Sequence, residues 1–358
     1  MRGWMWCPWP GPKDSACERH ALRSGAVPLP LATMLRPSRP FPFVLRSCAL
    51  MLLLLPFAAT VRAQGVAELI AQGDSLLALE KPQRALGFYD KAVEQGGTAE
   101  AYAARAKAWY LMERMDRFVL DVEKALKLDS TIATAHYQRA LYAMRASDPE
   151  KAEYHAAKAV AHSKDPKLTS QGHLLRGEAL AELGRNAPAI TELEKGLAGS
   201  MTDPEAMRTL ARLYDSSGRH ADALAVLERL CDIQPTDVGH WSNRAYELIM
   251  LDRAEEALPI IEKALAIDKD EPVALSNRAY IYLKMGRLDE AMADVERSLR
   301  SYPANPHALR TRAMLRLRKG EREKACDDLT LSRALGGAPE VDQLIKEHCA
   351  STPAPRKR

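Results

Sequence analysis

The pentapeptide SNRAY stands at Ser242–Tyr246 and again at Ser276–Tyr280, 34 residues later. Extending the two copies aligns HWSNRAYELIMLDRAEEALPIIEKALAID with ALSNRAYIYLKMGRLDEAMADVERSLRSY. Walking outward gives repeat starts at 66, 99, 133, 170, 204, 238, 272 and 306, all 34 apart except for one spacing of 33 and one of 37. A fixed period of this length constrains the fold before any local signal does, because each unit completes its core only against its neighbours.

The columns of the alignment show what each unit is. The eighth place holds Gly73, Ala106, Ala140, Gly177, Ala211, Ala245, Ala279 and Ala313; the twentieth holds Ala in every repeat except Phe118. The twenty-seventh place is small except at Leu230. Small side chains at these spacings let two helices approach closely, and a larger one overpacks at about 1–3 kcal/mol. Between the eighth and twentieth places, Gly184, Gly218, Gly286 and Gly320 share one offset, where a helix ends in a left-handed residue. Pro235 and Pro303 share another, where the second helix cannot continue. Each unit is therefore helix–turn–helix, and Phe118 and Leu230 mark local repacking. Aromatic residues make up only 6% of the chain, which also favours helices over strands.

This pattern resembles the tetratricopeptide repeat over residues 66–339. The resemblance implies an all-α, right-handed solenoid of about eight helix–turn–helix units, closed by a C-terminal capping helix over 340–349. It also implies a non-enzymatic scaffold that holds an extended peptide in the groove lined by the first helices. Groove-facing places are the second, fifth, ninth, twelfth and thirteenth, with the sixth nearby. In repeats five to eight these include Arg208, Arg212, Asn243, Tyr246, Asn277, Tyr280, Lys284, Arg310 and Arg318. Cations, amides and aromatic faces there suit a peptide with acidic groups. The groove partly resembles the carboxylate-clamp class. Val273 and Asn277 stand where that class has cations, so the clamp is not inferred.

A second column carries charge. The seventh place is Arg in six repeats, and four of these face an acid at the twenty-third place: Arg105 with Asp121, Arg176 with Glu192, Arg278 with Asp294, and Arg312 with Asp328. Where the seventh place is Leu210 the twenty-third is Val226, and Gln72 faces Phe88. Charges that appear and disappear together predict an ion pair between the two helices of one repeat, which sets register more than stability. Arg139 and Arg244 face His155 and Ile260 instead, which leaves them as candidates for ligand contact.

The two ends differ from the array. Residues 34–63 run from a basic start through the apolar stretch Cys48–Ala59 to Val61-Arg62-Ala63, the order of a secretory signal peptide with cleavage after Ala63. Retention of that segment as an anchor is the alternative. Residues 1–33, rich in Trp and Pro, are expected to be a mis-assigned extension before a true start at Met34. Residues 1–63 carry eight basic and two acidic side chains, so without them the formal charge of +4 becomes −2. The basic balance therefore gives no argument for nucleic acid. At the far end Gly336-Gly337 breaks the last repeat, and an antiparallel helix after it brings Cys326 and Cys349 level. In an oxidising compartment they are expected to form a disulfide, with two buried thiols as the alternative. Cys231 is then an odd buried thiol, and 350–358 a disordered basic tail.

Enzyme signatures are missing: no Gly-rich phosphate loop, no G-x-S-x-G and no H-E-x-x-H occurs. The nine His are scattered, so no cofactor, catalytic or metal residue is assigned. The expectation is a periplasmic or secreted scaffold for a protein or peptide partner, with no nucleic acid and no stable membrane span after cleavage. The leader and the ending resemble exported tetratricopeptide proteins of Bacteroidetes-like bacteria. The alternatives are an accessory subunit of an envelope assembly acting through its convex face or tail and, more remotely, an enzyme with an unrecognised site.

Overall fold

The computed structural model describes residues 65–198, 202–337 and 340–349. The expected extension (1–33), signal peptide (34–63) and basic tail (350–358) lie outside them. The described residues fall into two compact units divided between Ser130 and Thr131. The first contains α1 (65–78), α2 (Pro82–Gly96), α3 (Ala99–Leu111) and α4 (Met115–Leu128). The second contains α5 (Ala133–Arg145), α6 (Pro149–His162), α7 (Pro166–Glu182), α8 (Asn186–Leu197), α9 (Pro204–Ser216) and α10 (His220–Ile233). It continues through α11 (Val238–Met250), α12 (Ala254–Ile267), α13 (Pro272–Lys284), α14 (Leu288–Ser301), α15 (Pro306–Arg318), α16 (Arg322–Ala334) and α17 (Glu340–His348). No strand occurs among the described residues.

From α1 to α16, odd-numbered helices open the repeats and even-numbered ones close them. Within the second unit each helix packs on the next, and the opening helices also touch one another, α5 on α7, α7 on α9, α11 on α13 and α13 on α15. This two-layer stack lets a 13-residue helix bury both flanks. Most opening helices are capped by a short polar side chain: Thr98, Asp165, Asp203, Asp237 and Asn305 each accept a backbone N–H of the first turn. Pro166, Pro204, Pro272 and Pro306 occupy the first turn, where their missing N–H costs nothing. Helix α7 starts four residues before the repeat boundary expected at 170. The three extra residues between the starts at 133 and 170 go into an added N-terminal turn of α7, which Asp165 caps.

The small columns lie at the helix–helix contact. Ala at the eighth and twentieth places is fully buried in every repeat that has it. A Cβ on Gly73 would stand 2.4 Å from the Tyr89 ring, and one on Gly177 2.6 Å from Leu193 Cγ. Phe118, the exception at the twentieth place, is fully buried with its ring 5.3 Å from that of Tyr110.

The turn within each repeat has the same backbone throughout. Positive φ recurs at the fifteenth place of all eight repeats, at Gly184, Gly218, Gly286 and Gly320 but also at Glu80, Glu113, Ser147 and Asp252. Each closes the same pair of bonds, illustrated by the Gly286 N–H to the Leu283 carbonyl and the Arg287 N–H to the Tyr282 carbonyl. The helix pair dictates this left-handed residue. Four repeats meet the demand without glycine and carry the steric cost.

The seventh and twenty-third places meet as two-pronged pairs in three repeats. Arg105 reaches Asp121 at 2.7 and 2.8 Å, Arg278 reaches Asp294 at 2.6 and 2.9 Å, and Arg312 reaches Asp328 at 2.9 and 2.7 Å. Arg176 lies 3.5 Å from Glu192 and instead donates to Glu153 of α6 at 2.9 Å. Glu192 is taken by His173 at 2.7 Å and Lys195 at 3.1 Å. Arg244 is not free for a ligand: Glu228, one repeat back on α10, accepts from it at 2.9 Å. Arg139 lies over the Tyr142 ring at 5.3 Å.

At the end of the second unit α17 packs Val341, Leu344 and Ile345 on Ala313, Ala325 and Leu329. Cys326 and Cys349 are joined as a disulfide, their Cα atoms 5.6 Å apart. Cys231 is a buried free thiol, pushed up to about 12 by burial. Among the described residues, no helix is long and apolar enough to cross a membrane.

Candidate binding groove

The opening helices of the second unit present the groove places on one face, but not all the expected residues are available there. Arg212, Lys284 and Arg318 are exposed, and Arg208 and Tyr280 are half-buried. Asn243, Tyr246, Asn277 and Arg310 are buried, so they correct the expectation of a peptide-contacting set. Asn277 has no exposed surface, and its Nδ2 donates to Ser242 Oγ at 3.0 Å, tying α13 to α11. Tyr246 is packing, and burial raises its phenol well above the ordinary value. Arg208 is committed to Glu205 and to Gln234 Oε1.

The C-terminal end of this face is occupied by the protein itself. Arg310 stacks on the Tyr280 ring at 4.6 Å and faces Glu340 of α17 at 3.4 Å. A cavity of about 210 Å³ there is lined by Tyr280, Arg310 and Met314 on one side and by Glu340, Gln343, Leu344 and Glu347 of α17 on the other. The closing helix thus supplies an acidic group to the arginine that sequence reasoning offered to a peptide.

The larger opening lies nearer the start of the unit. A cavity of about 350 Å³ spans α5, α7 and α9, lined by Met144, Glu178, Ala181, Glu182, Glu205, Thr209 and Arg212. Three carboxylates face one guanidinium. Burial, with Asp203, Glu205 and Glu182 nearby, raises Glu178 from 4.5 to about 7. These side chains stand at the same groove places as the expected set, but in repeats three to five and with the opposite balance of charge. Such a surface accepts a cation or an N–H donor in preference to an acid.

Two other polar groups of the unit lie off this face. The Nδ1 atoms of His136 and His155 are 3.0 Å apart. Burial, His136 and Arg139 lower His155 to about 4. Asp215, His220 and Glu247 converge from three helices, the arrangement of metal-type side chains that the scattered histidines of the sequence did not disclose.

Small buried columns, a shared left-handed turn and an opening-helix face define an all-α repeat protein built to present surface. Family models described as tetratricopeptide repeat match residues 180–243 and 248–315, and a second such model matches 137–204. Over these residues the units match the tetratricopeptide repeat. The Tetratricopeptide repeat and J domain-containing co-chaperone DNJ1 of Cryptococcus neoformans is 30% identical over 131 residues, 36% of this chain and 24% of that protein. The match thus spans about a quarter of that curated relative. Among solved structures, YrrB, titled a TPR protein with an unusual peptide-binding site, is 22% identical. That likeness covers 53% of this chain and 97% of YrrB, at a TM-score of 0.47. The C-terminal part of a TPR repeat-containing protein from Cytophaga hutchinsonii is 18% identical, covering 68% and 98% of the two chains at a TM-score of 0.49.

Proposed function

We propose that this chain is a non-enzymatic protein-interaction scaffold that holds an extended peptide along its opening helices. The carrying observation is the 350 Å³ cavity across three consecutive opening helices, with Glu178, Glu182 and Glu205 around its rim. Tetratricopeptide repeats act as protein-binding modules, and the cavity gives this one a chemical preference. A peptide that places a lysine or arginine beside the carboxylates meets opposite charge, while Met144 and Ala181 supply apolar contact. This replaces the acidic peptide that the cations at the groove places first implied.

The scaffold is proposed to work outside the cytoplasm, in the periplasm or beyond. The basic-apolar-small order of residues 34–63 supports this, as does the pairing of Cys326 with Cys349, which persists in an oxidising space. The leader and ending also resemble exported tetratricopeptide proteins of Bacteroidetes-like bacteria.

The test is selection of displayed random peptides on the folded protein, followed by titration of the winners. Enrichment of Lys and Arg, with binding that weakens at high salt and falls about tenfold or more in Glu182→Gln/Glu205→Gln, supports the reading. Acidic winners, or affinity unchanged in that variant, refute it. N-terminal sequencing of the exported protein should begin at Gln64, and a start at or before Met51 would mean the leader is retained.

A further inference from the structure

Asp215, His220 and Glu247 come from three successive helices. Asp215 lies in the last turn of α9, His220 is the first residue of α10, and Glu247 is in the third turn of α11. The tight fifteenth-place turn brings the first two together, and the packing of the next repeat places Glu247 across from them. His220 Nδ1 is 2.9 Å from Glu247 Oε2 and 3.5 Å from Asp215 Oδ1. One ligand atom from each residue lies within 4.8 Å of the other two.

The burial is unusual for such a group. The Asp215 and Glu247 side chains have no exposed surface, whereas His220 keeps 18% of its side chain in water. Glu247 Oε1 is buried and has no hydrogen-bond partner. Two carboxyl groups with no exposed surface thus share one corner with an imidazole that keeps an edge in water. Burying carboxylate charge is costly unless something positive joins it.

We propose that Asp215, His220 and Glu247 form a site for a divalent transition cation of the zinc class, clamping repeat five to repeat six. Metal–ligand distances near 2.1 Å in a tetrahedral site put ligand atoms about 3.4 Å apart, close to the separations here. A nitrogen-plus-carboxylate set suits zinc-like ions, whereas calcium and magnesium take oxygen ligands throughout. The dication cancels the two carboxylate charges and satisfies the orphaned Oε1 side of Glu247. Three protein ligands leave a fourth position to water, and the exposed edge of His220 provides the way in.

The experiment titrates the chelator-stripped protein with zinc sulfate by calorimetry and follows thermal unfolding by circular dichroism. The His136–His155 pair is a second place where zinc could settle, so every titration is run in the His155→Gln background. The expected result is one saturable site and a higher unfolding temperature with zinc, with calcium giving neither. Glu247→Gln and Asp215→Asn should each weaken zinc by more than about tenfold, the loss typical of even outer-shell changes. Each variant is also melted without metal, and the rise in unfolding temperature on adding zinc, read against that variant's own metal-free value, separates lost ligation from lost folding. His220→Gln supplies a third, independent loss. No saturable binding in the His155→Gln background, equal zinc affinity in Glu247→Gln, or preference for calcium would each overturn the proposal.

Discussion

Replacing Arg278 by Leu tests whether the seventh and twenty-third places act as one unit. Asp294 is buried, and two guanidinium nitrogens hold it at 2.6 and 2.9 Å. Asp294 in turn holds Arg278 above the ordinary arginine range. Removing the arginine strands a carboxylate between α13 and α14. Breaking a buried pair costs about 3–5 kcal/mol, and a fifth of the Arg278 side chain lies in water, so the low end applies, about 3 kcal/mol. The same chain shows the repair. In repeat five the two places are Leu210 and Val226, both buried against each other's helices. Arg278→Leu/Asp294→Val should therefore recover at least half of the loss, a coupling of about 1.5 kcal/mol or more. The assay is urea unfolding of wild type, both single variants and the double, with slopes compared because repeat arrays can lose cooperativity. Additive losses would refute the pairing and assign the cost of Arg278→Leu to its contact with the Tyr282 ring, 5.5 Å away.

Glu113→Gly should stabilise the protein by about 1 kcal/mol, because Glu113 holds φ 57° at a place where four other repeats use glycine. A urea midpoint unchanged or lowered would show that its side chain compensates the strain. Glu178 has a folded pKa of about 7 against 4.5, so the folded state binds its proton more tightly. Its contribution to stability is present below the unfolded value and is lost as pH rises through 7. Glu178→Gln should accordingly be more stable than wild type above about pH 7, measured by urea midpoints across that range. Mass mapping of the non-reduced protein should link the Cys326 and Cys349 peptides, and Cys231 should resist alkylation until the chain unfolds. Reducing the bridge, which closes a 23-residue loop, should cost about 3 kcal/mol in the chain-entropy account.

What the sequence by itself determined is whatever repeats or lies close along the chain. The small columns, the glycine and proline punctuation and the Arg–acid column are read at fixed offsets, because each unit sees nearly the same neighbours. That regularity also pointed to the opening-helix face and to Arg212, but it set the groove in repeats five to eight, whereas the cavity that Arg212 lines reaches back to Glu178 and Met144. Tertiary structure decided which of those places remain open. Asn243, Asn277 and Tyr246 hold groove places, yet the neighbouring opening helices pack close enough to bury them. Arg310 is lost because α17 folds back to offer Glu340, a contact set by a break after the array and not by the period. Asp215, His220 and Glu247 lie beyond sequence reasoning for the same reason. Their spacings of five and 27 residues match no metal motif. Only the angle of a left-handed turn and the docking of the next repeat bring their ligand atoms together, and that geometry is a property of packed helices rather than of any one segment.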